Sequence, residues 1–149
     1  MKIFLDFDGV LHPEPCFDSA DHFCFLPRFE NVLRDFVNVE IVISSTWRAT
    51  RSLDDLQSIF SEDIRRRIIG RTPNWSEHPD ILEVIGYQRH AEVEAWLRST
   101  NQPWEKWIAV DDKAYLFRPF LPNLVKTDSL VGFDSCAELK LRNLLLSSK

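Results

Sequence analysis

"KIFLDFDGVLHP", residues 2–13, joins an apolar run to a pair of acids. Ile3, Phe4 and Leu5 read as a short buried strand, but the run ends in Asp6, Phe7, Asp8 and Gly9. Side chains at i and i+2 of a strand share a face, so the two carboxylates are expected side by side at the edge of a core. An unpaired buried charge is costly, and a like-charged neighbour adds to the cost. Something else in the chain must offset it.

Outward from this stretch, strands and helices alternate. Phe25, Phe29, Val32, Leu33 and Phe36 mark one face of a helix, and "EIVIS" (40–44) reads as a second buried strand. "SLDDLQSIF" (52–60) is a second helix, and "RIIGRT" (67–72) a third strand ended by Pro73. "HAEVEAWLRS" (90–99) is helical through Val93, Trp96 and Leu97. "KWIAV" (106–110) and "NLVKT" (123–127) complete the strands, and Ser135 with Glu138 opens a last helix in capping-box register. Strands apolar on both faces and separated by helices imply a mostly parallel five-stranded sheet with helices on both faces. No linker interrupts residues 1–149, so one doubly wound α/β domain is expected.

At 149 residues such a domain should bury roughly 70% of its unfolded surface. A net charge of -5 argues against a large nucleic-acid footprint but leaves room for a phosphorylated ligand held by a few arginines. No apolar run reaches the roughly 18 residues that cross a bilayer. With no basic-then-apolar leader, a cytoplasmic location is expected. The three cysteines lack C-x-x-C spacing, so disulfides are not expected. His12, Cys16, His22 and Cys24 match no common zinc pattern and read as loop and core residues.

In doubly wound sheets ligands bind beyond the carboxyl ends of the strands. Strand one ends in Asp6-Phe7-Asp8-Gly9, strand two in Ser44-Ser45-Thr46-Trp47-Arg48, and strand four in Asp111-Asp112-Lys113. Each fragment alone has a bland reading as turn or helix cap. Together, at three strand ends, they suit Mg²⁺, which prefers carboxylate oxygens, waters and a substrate phosphate. An Asp carboxylate can attack phosphorus, and a second carboxyl two residues on can protonate the leaving oxygen and then activate water.

"FLDFDGVL", "IVISSTWR" and "WIAVDD" resemble the first, second and fourth motifs of the haloacid dehalogenase (HAD) superfamily. The chain is most similar to the small HAD domain of Swiss-army-knife RNA repair proteins, through "STWR", Gly70-Arg71-Thr72-Pro73, an Arg-led helix ending in "WL", and Gly132-Phe133-Asp134. The resemblance implies a HAD-like Rossmannoid fold, Asp6 as nucleophile and Asp8 as general acid/base. It implies Mg²⁺ held by Asp6, Asp111, Asp112 and the Asp8 carbonyl, with either of Asp111 and Asp112 as the direct ligand. Ser44, or Ser45 given the doubled serine, would bind the phosphoryl group, with Gly9 making room for it. Arg89, ahead of "HAEVEAWL", would fill the place of the third-motif cation. An Asp at position 8 points to phosphoester hydrolysis rather than dehalogenation.

Neither inter-motif segment has room for a full cap, so the site should be capless or carry a minimal lid over 74–88. An open site suits a phosphorylated small molecule, a nucleotide or a nucleic-acid end. A phosphate-binding module without catalysis is the reading from another class, and an intact Asp8 argues against it. Arg48 is a candidate substrate contact, as are Arg51, Arg71 and Arg65 to Arg67, though the last three read more simply as a solvated helix end. Trp47 and Trp75 could stack a base or pack; Trp96, Trp104 and Trp107 are expected in the core.

Overall fold

Alternating aliphatic residues build the frame. Among the described residues, 1–148 of a computed structural model, the strands are β1 (Lys2–Leu5), β2 (Glu40–Ile43), β3 (Ile68–Arg71), β4 (Trp107–Asp111) and β5 (Leu124–Lys126). They form one all-parallel sheet in the order β3-β2-β1-β4-β5. Six α-helices flank it: α1 (Leu26–Asp35), α2 (Leu53–Ser58), α3 (Glu62–Arg65), α4 (Pro79–Ile85), α5 (Gln88–Ser99) and α6 (Ser135–Ser147). No described helix is long and apolar enough to cross a membrane.

The pleat sorts the strand residues between two cores. Ile3, Leu5, Ile41, Ile43, Ile108 and Val110 pack with residues of α1, α2, α3 and α6 on one side. Phe4, Val42 and Ala109 face the other side, against Val93, Trp96 and Leu97 of α5. Burial of large aliphatic and aromatic side chains on both faces is what a parallel sheet requires. The Trp96 ring lies over Gly70 in β3 and edge-on to Phe4, 5.8 Å between centroids.

Several expectations change. Residues 74–88 hold a 3-10 turn, Trp75–Glu77, and α4, where Pro79 at the start and Gly86 in the left-handed conformation at the end bound the helix. The cap of α6 is Asp134, whose carboxylate accepts from the Ala137 N–H, and Ser135 is the first helical residue. Trp104 is 78% exposed instead of buried. Arg67 is no solvated helix end. Its guanidinium donates to the Val39, Leu33 and Phe36 carbonyls and so closes the carboxyl end of α1. Arg65 likewise donates to the Phe60 carbonyl.

Orphan carbonyls at a helix end need partners, and a charged donor supplies stronger ones than water. Arg67→Ala is therefore expected to lower unfolding free energy by about 2–3 kcal/mol, read from the urea midpoint at unchanged slope.

Candidate functional site

The pleat that sorts the core also sorts the polar strand ends. Asp6 follows the parity of Phe4, Ser44 that of Val42, and Asp111 that of Ala109, so all three project toward α5. The ladder runs on beyond the strands to hold that parity. The Asp6 N–H donates to the Val110 carbonyl, Ser44 N–H to Leu5, and Thr127 N–H to Asp111. Leu5 pairs with both Ile43 and Val110, which sets Asp6, Ser44 and Asp111 at one level. Ser45 has the opposite parity, and its hydroxyl accepts from the Trp47 N–H to cap the 3-10 turn Thr46–Ala49. Between the doubled serines, Ser44 is the one on the Asp6 side.

Arg89, in the first turn of α5, reaches back over this edge. One of its terminal nitrogens lies 2.7 Å from Asp111 Oδ2 and 3.5 Å from Asp6 Oδ1. All three side chains are at least nine-tenths buried. Burial, then the Asp111 charge, hold the Asp6 carboxyl well above its ordinary range, against the pull of Arg89. Burial also raises Asp111, opposed by Arg89 and by the Lys113 N–H, which donates to Asp111 Oδ1 at 2.9 Å. Desolvation alone would weaken the Arg89 charge, but the carboxylates around it more than compensate.

Asp112 completes the cluster. Asp6, Asp111 and Asp112 each bring a carboxylate oxygen to within 4.8 Å of the others, and all three are buried. Asp112 Oδ2 accepts from the Ser129 hydroxyl at 2.7 Å, whereas no N–H or hydroxyl among the described residues reaches the buried Oδ1, and the neighbouring Asp6 carboxyl is the group that can share a proton with Asp112. A buried carboxylate oxygen without a donor, beside two further carboxylates, fits a hard divalent cation of the Mg²⁺ type. Gly9 lies against this cluster at φ +77°, and a Cβ there would overlap the Asp112 carboxylate. Its carbonyl is tied to the Thr127 hydroxyl at 2.6 Å.

Asp8 stands apart from the three acids. The chain leaves the strand after Leu5 and turns through Phe7 to Leu11, where the Gly9 N–H donates to the His12 carbonyl. The Asp8 side chain is met there by partners other than the three acids. Its carboxylate instead accepts from His12 Nε2 at 2.7 Å and from Trp47 Nε1 at 3.1 Å. The His12 hydrogen bond, with help from Trp47, holds it below the ordinary carboxylate range despite partial burial. Asp8 is thus a partly exposed acid on the turn that follows Asp6, in the opposite electrostatic setting.

Arg48 is a strut. It donates to the Thr72, Ser44 and Ser45 carbonyls and pairs with buried Glu92 of α5 at 2.5 Å. Glu92 also accepts from the Trp75 N–H, so one carboxylate ties β2, α5 and the 74–88 segment together. Arg71 donates to the Arg48 and Arg51 carbonyls. Beside this strut a cleft of about 730 Å³ opens, lined among others by Thr46, Arg48, Arg71, Asn74 and His78. Trp47 packs edge-on against Phe7 and Phe23 and carries the Arg51 guanidinium 4.4 Å above its ring. Among the described residues, the cluster of His, Cys, Asp and Glu suited to a metal is the three-Asp group, not His12, Cys16, His22 and Cys24.

Sequence reasoning passed over three contributors. Lys113 bridges Glu14 at 2.8 Å and Asp112 at 3.5 Å. Ser129 binds Asp112, and His12 binds Asp8. The signal available for Ser129 and Thr127 was their place just past the fifth strand; nothing local marks His12.

A family model described as the HAD domain in Swiss Army Knife RNA repair proteins matches residues 2–136. No curated protein and no solved structure gives a match.

Two substitutions check this geometry. Gly9→Ala forces a non-glycine residue to positive φ and into the Asp112 carboxylate; a loss of at least about 1–2 kcal/mol is expected on thermal unfolding. A carboxyl raised in the folded state adds stability at low pH and withdraws it as pH rises through the folded value. Asp6→Asn should therefore raise the melting temperature of the metal-free protein, by several degrees at about pH 7.5 and by less at about pH 5. Added Mg²⁺ should then stabilise the wild type and not the Asn variant; equal stabilisation would remove Asp6 from the metal site.

Proposed function

The chain belongs to the HAD domain family of Swiss-army-knife RNA repair proteins, and on that premise we propose that it is a Mg²⁺-dependent phosphatase hydrolysing a phosphomonoester through an aspartyl-phosphate. The observation that carries this reading is the convergence of Asp6, Asp111 and Arg89 on one edge of the sheet, at the level where β2 ends in Ser44, with the buried Asp112 carboxylate beside them. Mg²⁺ on Asp6, Asp111 and Asp112 would neutralise the carboxylates and screen the phosphoryl charge from an anionic nucleophile. Everything else falls to the chain's own groups.

An Asp6 oxygen attacks phosphorus in line with the ester bond, and the phosphoryl group passes to the carboxylate. The leaving oxygen takes a proton from Asp8, which picks it up when the dianionic substrate binds beside it, as the P–O ester bond breaks. The Ser44 hydroxyl and the Arg89 guanidinium hold the equatorial phosphoryl oxygens, where negative charge must be met. Water then attacks the phosphoryl group, gives its proton to Asp8, and releases phosphate and free Asp6. Arg48 acts through others in this scheme: its three carbonyl contacts hold the Ser44–Ser45 turn rigid.

The family's description names RNA repair, which supports a phosphorylated nucleic-acid end, such as an RNA 3'-phosphate, as the substrate of an enzyme working beside a repair partner. The cleft of about 730 Å³ next to the Ser44 turn supports a leaving group of nucleotide size, within the range of ordinary ligand sites. Arg71, Asn74 and His78 line it. A net charge of -5 fits a contact of one or two nucleotides better than a long footprint. A small phosphorylated metabolite is the other substrate class the same chemistry accepts, and the cytoplasm is the compartment proposed.

Asp6→Asn should keep the fold and lose turnover by at least about 10³-fold toward a generic aryl phosphate. A panel of a 3'-phosphorylated oligonucleotide, mononucleotides and sugar phosphates, each with and without Mg²⁺, separates the substrate classes. The oligonucleotide should give the highest kcat/KM. No phosphate release from any of them, with Mg²⁺ still raising the melting temperature, would leave a binding module in place of an enzyme.

A further inference from the structure

One ring in the molecule is fully buried, polar and unused by the scheme above: His12, whose side chain is 1% exposed. It sits in an aromatic box, with ring centroids 4.8 Å from His22, 5.0 Å from Phe23 and 5.8 Å from Trp47. Two hydrogen bonds define its state. The Phe23 backbone N–H donates to Nδ1 at 3.3 Å, so Nδ1 is an acceptor and carries no proton. The single ring proton of the neutral imidazole is therefore on Nε2, which faces Asp8 Oδ1 at 2.7 Å. A protonated ring would set an Nδ1–H against the Phe23 N–H, donor against donor.

Asp8 thus accepts from two groups that can only donate to it, His12 Nε2–H and Trp47 Nε1–H. The two donors lie on separate segments, one in the turn after β1 and the other in the turn after β2. Phe23, at φ 61°, is held in a conformation side chains rarely adopt, and this is the residue whose N–H sets the tautomer. A carboxylate gripped in this way is fixed in direction, with its remaining lone pairs left for a third partner.

Resting on the phosphatase reading, we propose that His12 is a positioning residue that aims the Asp8 carboxylate at the water that hydrolyses the Asp6 phosphoryl intermediate. In that step the water O–H bond breaks as the P–O bond to water forms. The proton passes to the free Asp8 oxygen, and the bond between phosphorus and Asp6 breaks with its electron pair returning to the carboxylate. His12 neither gains nor loses a proton. Its work is directional, as a second-layer donor fixes the rotamer of a reacting group.

Two substitutions divide the ring's two contacts. In His12→Asn the amide oxygen overlays Nδ1 and can still accept from the Phe23 N–H, but nothing reaches Asp8. In His12→Gln the amide nitrogen overlays Nε2 and can still donate to Asp8. With 4-nitrophenyl phosphate and Mg²⁺, His12→Asn should lower kcat by about 10- to 100-fold, a share of what a general base supplies. KM should fall in parallel, leaving kcat/KM, which reports phosphorylation, within about threefold. The slowed hydrolysis should appear as a burst of nitrophenol and as protein carrying one phosphoryl group after acid quench. His12→Gln should recover most of kcat.

Equal losses in kcat and kcat/KM, or a Gln variant no better than Asn, would overturn the assignment while leaving the phosphatase reading intact. Wild-type protein inert toward every phosphomonoester would sink that reading and this inference with it. A long-range proton–nitrogen NMR correlation tests the tautomer independently of turnover. A proton on Nε2 and none on Nδ1 is expected, and the reverse pattern would overturn the proposal even in a protein that folds and turns over.

Discussion

The structure turns on how negative charge is buried at the carboxyl edge of the sheet. Three carboxylates stand within reach of one another, and Arg89 is the guanidinium that lies against two of them. Coulomb repulsion between close carboxylates in a dry setting is several-fold stronger than in water, so the arrangement persists only with a counter-charge or a shared proton. Arg89 meets part of the deficit at Asp111. The remainder falls on Asp6, which holds its proton more tightly than a free carboxyl, and on Asp112, left with one oxygen that no N–H or hydroxyl among the described residues reaches. A divalent cation taken up there in exchange for a proton would neutralise this edge of the sheet.

Around that edge the loops are fastened to each other more than to the sheet. Glu14 reaches Lys113 by its side chain and the Ser129 carbonyl by its backbone. Ser129 in turn holds Asp112, and Thr127 holds Gly9. On the other side Arg48, Glu92 and the Trp75 N–H form a second web. Buried ion pairs such as Arg48–Glu92 are weak evidence for net stability, but breaking one leaves an uncompensated charge. Their value here is in fixing the turn that carries Ser44.

Much of this was legible in the chain itself. All five strands were placed to within a residue or two, because Val, Ile and Leu runs bounded by Asp, Ser and Pro carry both the period and the stops. The three acid and hydroxyl strand ends followed from topology. Val42 and Ile43 face opposite cores, which puts Ser44 and Ser45 on opposite parities but does not by itself say which binds a ligand. What escaped was long-range. Arg48, Arg67 and Arg71 donate to backbone carbonyls far along the chain, a role that leaves no local pattern and looks identical to a solvated charge. The His12 and Trp47 partners of Asp8 are of the same long-range kind, since a turn that begins at Phe7 brings them in from outside the strand. Trp104 is exposed where the sequence reading expects it in the core, because a large apolar side chain is not buried by its type alone.

The sheet's alternation has a bearing on how the protein tolerates change. A one-residue slip of β2 against β1 would bring Ser45 to the level of Ser44, and chemically nothing would be lost, hydroxyl for hydroxyl. The slip is instead forbidden by bulk: it would turn Ile41 and Ile43 toward the α5 side and Val42 toward α1, emptying one core and crowding the other. The level and facing of the polar strand ends are thus underwritten by side chains with no polar atoms at all. Conservative swaps among those aliphatics, far from any carboxylate, are where gradual drift in the site's alignment would begin.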